Sequence, residues 1–210
     1  ANISDSSCTN CYAIADIGAD TISGCDSVQL SINTITNATY NWSTSNVLIP
    51  LQIGDTYQGG IVFYLDSLGG GLIAAPSDQS TGAEWGCQGT AISGADGTAI
   101  GTGAQNTIDI LAGCSQSGTA ADICENLTLD GYSDWFLPSK DELIKIYSNI
   151  GPSTFGQYNN NIAYWTSSEY SVHAAYRANE PSSNSWNNKM GLHYVRAIRE
   201  ISLNTNSLTV

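Results

Sequence analysis

The segment Asp134-Trp-Phe-Leu-Pro-Ser-Lys-Asp-Glu-Leu143 constrains this chain more than any other. Pro138 suits a helix mouth, where its missing N–H costs nothing. Ser139, followed three residues later by Glu142, forms a capping box in which hydroxyl and carboxylate take up amides that the first helical turn leaves unpartnered. A strand is therefore expected to end at Asp134 and Trp135, and a helix to run over residues 140–149. Two later segments, Tyr164-Trp-Thr-Ser-Ser-Glu169 and Tyr194-Val-Arg-Ala-Ile-Arg199, read as strands. Asp134, Trp135, Glu142, Trp165, Glu169, Arg196 and Arg199 look catalytic in isolation. A structural role is the expectation, because carboxylates and guanidinium groups within one frame usually satisfy one another. One arginine of residues 195–199 is expected to pair with Asp134 or Glu169, with Trp135 and Trp165 packed as core.

Four upstream segments belong with these three: Gly54-Asp-Thr-Tyr-Gln-Gly-Gly-Ile-Val-Phe-Tyr64, Glu84-Trp-Gly-Cys87, Ile100-Gly-Thr-Gly-Ala-Gln-Asn-Thr107 and Ala120-Ala-Asp-Ile-Cys124. Over residues 53–200 the chain resembles the C-terminal domain family of the Legionella collagen-like protein, also called the Fibrobacter succinogenes major paralogous domain. The resemblance implies a C-type-lectin-like α+β fold on secreted or surface-anchored bacterial proteins, with roles in adhesion or glycan binding and no implied enzyme activity. Formylglycine-generating enzymes are distantly similar but use a cysteine pair near the C-terminus, and here no cysteine follows Cys124. Further upstream, Ala19-Asp-Thr-Ile-Ser-Gly-Cys-Asp-Ser-Val-Gln-Leu30 and Tyr40-Asn-Trp42 resemble the polycystic-kidney-disease-type immunoglobulin-like repeat. Such a sandwich needs about seven strands over about 100 residues. An incomplete immunoglobulin-like β segment is therefore expected over 1–50, the lectin-like domain over 51–200, and a strand or tail over 201–210.

Charge narrows the partners. The first 139 residues carry fourteen acids and no base; the remainder carries five acids against six bases, giving −14 and +1 and a net −13. Nucleic acid, anionic lipid and sulfated glycan all require basic patches, so these partners are disfavoured. No apolar run is long enough to span a bilayer, so no membrane insertion is expected. Cys8, Cys11, Cys25, Cys87, Cys114 and Cys124 lack metal-site spacing and favour disulfides in an oxidising, extracellular setting. Cys8-Thr-Asn-Cys11 reads as a local staple. Cys114 with Cys124 is the preferred pair downstream, and Cys87 with Cys124 its rival.

Along the chain, segments 12–17, 27–32 and 38–43 alternate like short strands. Ile61-Val-Phe-Tyr-Leu65 and Gly69-Gly-Gly-Leu-Ile-Ala-Ala75 read as a central β-hairpin. Residues 86–119 are expected to be a long irregular loop around one short helix over 106–112, with a further helix over 120–126. Ile201-Ser-Leu-Asn-Thr-Asn-Ser-Leu-Thr-Val210 has the composition of an extra strand.

Glu180-Pro-Ser-Ser-Asn-Ser-Trp-Asn-Asn188 resembles the Glu-Pro-Asn and Trp-Asn-Asp motifs of calcium-dependent lectins, though Ser182 and Asn188 depart from them. Glu180, Asn184, Trp186, Asn187 and Asn188 are thus candidate sugar or calcium ligands, and no other cofactor is expected. Trp42, Trp85 and Trp186 lie in polar contexts and are candidates for stacking on a sugar or a neighbouring subunit. His173 and His193 sit in no catalytic motif, and no nucleotide-binding motif is present. The expected function is a non-enzymatic structural subunit of a bacterial surface fibre, polymerising with copies of itself through terminal β segments. The alternative is a modular adhesin domain that binds a neutral surface glycan through loops at 86–119 and 180–189.

Overall fold

The computed structural model describes residues 51–67, 70–154, 162–179 and 184–202, without the side chains of 152–154. The chain divides into two units, Ala1–Pro50 and Leu51–Val210, and every described residue belongs to the second. The strands expected at 12–17, 27–32 and 38–43 lie outside the described residues. So do Cys8, Cys11, Cys25, Trp42, Glu180 and residues 203–210.

The second unit is a mixed α+β structure. Strands β1 (Thr56–Tyr57), β2 (Gly60–Leu65) and β3 (Gly70–Ala74) lead into β4 (Ser80–Ala83). Helices α1 (Gly103–Gly113), α2 (Ala120–Glu125) and α3 (Lys140–Thr154) follow. Strands β5 (Tyr164–Ser171), β6 (Ala174–Ala178), β7 (Ser185–Asn188), β8 (His193–Val195) and β9 (Ile198–Ser202) complete it. One sheet has the order β1-β2-β3-β9 and the other β4-β8-β5-β6-β7. All pairings are antiparallel except β5 with β8, which meet in parallel at Tyr164 and Tyr194.

The β2–β3 hairpin is central, as its apolar run requires. Asp66 closes it, donating its amide to the Gly70 carbonyl at 2.9 Å and accepting the Gly70 amide on Oδ1 at 2.8 Å. Side chains on a strand alternate between faces, so a run apolar at every position marks a strand covered on both sides. Ile73 packs into one core cluster with Val62, while Leu72 and Ala74 pack into a second with Phe63. A register shift between Val62 and Tyr64 accompanies the burial of two successive β2 residues. β9 runs through Ile201, which is buried in the first cluster, so the segment read as an extra strand begins inside β9.

The segment at Asp134 makes an isolated bridge rather than a strand end. Phe136 and Ile198 exchange two backbone bonds of 2.8 and 2.9 Å, and the ladder stops there. The Leu137 amide is taken by the Thr107 hydroxyl at 3.1 Å, and Pro138 has no amide to give. α1 starts at Gly103, three residues earlier than expected, and Asn106 lies inside it with its amide nitrogen donating to the Gly97 carbonyl (2.7 Å) and Ser167 Oγ (3.1 Å). α3 continues past 149 to a kink at Gly151, whose φ of 68° few side-chain-bearing residues adopt.

The downstream disulfide corrects both expected pairings. Cys87 is bonded to Cys114, and Cys124 is free and buried. Proximity in sequence favoured a loop between Cys114 and Cys124, but the inward face of α2 places Cys124 in the core with Ala120 and Ala121. Burial there pushes its thiol pKa well above the ordinary value.

Candidate functional site

The residues that looked catalytic by type form struts. Asp134 pairs with Arg199, as expected, while the guanidinium also lies 3.8 Å from the Tyr132 ring centre and donates to Gln58 Oε1 at 2.7 Å. Arg196 takes a different partner from either carboxylate expected. Its Nε donates to Asp78 at 2.8 Å and Nη1 to the Ala75 carbonyl at 2.8 Å. The capping box forms: Ser139 donates its amide to Glu142 Oε2 at 2.7 Å, and the Glu142 amide reaches Ser139 Oγ at 3.4 Å. Glu142 also accepts the Gly101 amide at 2.7 Å, and a Cβ at Gly103 would collide with its carboxylate, so α1 and α3 meet at this group. Burial raises the Glu142 pKa, while the bonds from Ser139 and Gly101 oppose that rise. A shallow cleft of about 150 Å³ opens here, lined by Tyr64, Asp66, Ile100, Phe136 and Glu200 among others. The Glu142 oxygens beside it are already engaged by backbone amides, which suits a strut better than a proton donor. Pro138 presents its carbonyl to the Ser167 amide at 2.7 Å.

Trp135 and Trp165 are core, and so is Trp85, which is only 1% exposed. Each indole N–H finds a carbonyl: Trp85 that of Thr166 (2.9 Å), Trp135 that of Tyr132 (3.2 Å) and Trp165 that of Ala83 (2.8 Å). Trp85 is therefore unavailable for stacking on a ligand. Its polar sequence context misled because the polar partners are buried with it. Ile92 and Ala95 join the same cluster, so the irregular stretch ahead of α1 also contributes to the core.

The exposed aromatic surface lies on the second sheet. Tyr176 of β6 stands directly across from Trp186 of β7. Tyr170, near the end of β5, stacks on Trp186 with the planes 4° apart and centroids 5.2 Å apart, and meets Tyr176 edge-on at 5.3 Å. Tyr170 is 50% exposed and Trp186 52%. Lys140, the first residue of α3, holds Nζ 5.1 Å from the Tyr176 ring centre. Stacking covers one face of each ring against the other, and the half exposure of both leaves the remaining ring surface open to solvent.

Two part-buried polar contacts lie beside it. Lys189, which follows β7, is fully buried and ion-paired with Glu169, the neighbour of Tyr170. Its ammonium also donates to the Thr90 carbonyl at 2.8 Å and sits 4.4 Å from the Trp85 ring centre, while Glu169 accepts the Ile92 amide at 3.0 Å. The pair thus links the ends of the strands carrying Tyr170 and Trp186. Asn187, the next residue along β7, donates through Nδ2 to His193 Nε2 at 2.8 Å with the imidazole neutral, and His193 stands edge-on to Trp165 at 4.6 Å. Burial, and secondarily the Arg177 charge, lower the His193 pKa to about 4 and keep it neutral.

Of the expected ligand set, Asn184 and Asn188 are exposed, Trp186 is half-exposed, and Asn187 is turned to His193. The Asn188 carboxamide oxygen is taken by the Met190 amide at 2.9 Å. Glu180, on which the calcium expectation leaned, lies outside the described residues, and among those described no group of three His, Cys, Asp or Glu side chains could hold a metal. Sequence reading found Trp186 but missed Tyr170, Tyr176, Lys140 and Lys189. The available signal was aromatic residues recurring in neighbouring strands, but which rings meet depends on a register that only the pairing supplies.

No protein-family model matches the chain, and no curated protein matches its sequence. Among the described residues, no helix is long and apolar enough to cross a membrane.

Proposed function

We propose that the second unit is a non-enzymatic, extracellular glycan-binding module of C-type-lectin-like type, and that a sugar ring stacks on Trp186. The observation that carries this reading is the parallel Tyr170–Trp186 pair, half-exposed on a domain that buries Trp85, Trp135 and Trp165. An exposed aromatic face offers the C–H face of a pyranose an apolar surface without demanding charge, which suits a chain of net charge −13 and a largely uncharged glycan. The Cys87–Cys114 disulfide favours an oxidising compartment, consistent with surface glycans as partners. A glycan array probed with the intact protein tests this, with Trp186→Ala alongside and each arm repeated in a calcium chelator. Saturable binding lost in the variant is expected. Binding that survives the substitution, or none to any glycan, overturns the reading; loss in chelator alone would assign calcium a part in it.

A second reading, a fibre subunit polymerising with copies of itself, is favoured by one observation. β9 is the last strand of the first sheet, bridged to Phe136 at Ile198 but unpaired on that side farther along among the described residues, and it leads directly into residues 203–210. An open edge accepts a strand from another chain. Because Ile201 is core, the test is truncation after Ser202, followed by electron microscopy of the purified protein. Loss of filaments in the truncated chain supports this reading, and unchanged filaments, or none in the intact protein, sink it.

A further inference from the structure

The basic residues of this acidic chain are unequally used. Lys189, Arg196 and Arg199 are each committed to a carboxylate, whereas Lys140 has no carboxylate partner among the described residues. Its ammonium is held instead against the face of Tyr176, 5.1 Å from the ring centre. A ring face attracts a cation without occupying its N–H donors as an acceptor oxygen would, so the position is fixed while hydrogen-bonding capacity stays open. Tyr176 in turn stands across from Trp186 and meets Tyr170 edge-on at 5.3 Å, while Tyr170 stacks on Trp186 at 5.2 Å, so the three rings form one cluster. A positive charge thus stands beside the aromatic cluster that carries the exposed indole.

Resting on the glycan-binding reading above, we infer that the preferred ligand carries a single carboxylate on a sugar unit close to the one stacked on Trp186, and that Lys140 receives it. The net charge of −13 repels densely charged polymers, so selectivity extends to sparsely acidic glycans and not to polyanions. At physiological ionic strength screening limits that repulsion to about 8 Å, and Lys140, held against the Tyr176 ring, acts on a lone carboxylate at close range.

The test is an array on which each neutral oligosaccharide is matched by its counterpart bearing one uronic acid and by the methyl ester of that acid. The wild-type protein is expected to bind the acid about two- to five-fold more tightly than the ester or the neutral parent, the range of an exposed ion pair. Lys140→Met should bring the ratio of acidic to neutral affinity to about one, Lys140→Arg should retain a preference, and added salt should shrink it. Binding with equal affinity for acid, ester and neutral parent overturns this inference and leaves the glycan reading standing. A preference that survives Lys140→Met also overturns it. Binding to no member of the array overturns both.

Discussion

Trp186 and Lys189 lie three residues apart in and just after β7, and each has the environment that ordinarily suits the other. The lysine is fully buried and the tryptophan is half in solvent. Burying an ammonium is strongly unfavourable unless it is paired and hydrogen-bonded, and Lys189 meets that condition through Glu169, the Thr90 carbonyl and the Trp85 face. Exposing an indole costs far less, and a single apolar side chain at a surface needs no explanation. Two rings stacked in parallel do, because their arrangement requires β5 and β7 to be held in fixed register across β6. The ladders of β5 with β6 and of β6 with β7 set that register, and the Lys189–Glu169 pair ties the strand ends together beneath the rings.

The largest way to break this relation is Lys189→Met, which leaves Glu169 buried without its partner. A loss of about 3–5 kcal/mol in urea unfolding is expected, with much of it recovered in the double variant Lys189→Met/Glu169→Gln. A single-variant loss below about 1 kcal/mol would show that the pair does not hold the sheet. Next in size is the Cys87–Cys114 bridge, whose partners are 27 residues apart in sequence. Chain-entropy reasoning gives about 3.5 kcal/mol for closing such a loop. Replacing both cysteines with serine should lower stability by that order while the Tyr170 and Trp186 fluorescence environment stays unchanged.

Acid should act on the same support with smaller effect. His193 titrates near 6.5 in an unfolded chain and at about 4 in the folded one, so between these values the unfolded chain binds a proton that the folded protein refuses. The His193 contribution to stability is therefore complete above pH 6.5, falls as pH drops toward 4, and changes by on the order of 1–3 kcal/mol across that window. His193→Gln should flatten the profile; an unaltered slope would assign it to other groups. The smallest stability effect belongs to Trp186→Ala, which removes one exposed stack and should cost about 1 kcal/mol or less. A larger loss in melting experiments would make the aromatic face a structural element rather than a surface kept for a ligand.

Much of the frame was legible because it rests on local chemistry. Ser139 and Glu142 announced a helix start, since a capping box lies within four consecutive residues. The apolar runs 61–65 and 69–75 announced a central hairpin, because two short apolar stretches joined by glycines mark paired strands. Trp85 was misread because a tryptophan flanked by Glu84 and Gly86 looks exposed until Thr166, distant in sequence, supplies its hydrogen-bond acceptor. The disulfide was misread because loop length ranks possible pairs but the direction of α2 decides which sulfur is reachable.

By itself, then, the sequence determined the capped helix, the central hairpin, that an arginine of residues 195–199 pairs with Asp134 or Glu169, and a strongly acidic net charge. Each of these follows from neighbours in the chain or from residue type. Which arginine pairs, which cysteines join, that Lys189 is buried, and that Tyr170, Tyr176 and Trp186 form one surface were decided by tertiary structure. Those outcomes depend on strand register, and a shift of one residue would have turned Trp186 inward and Asn187 outward.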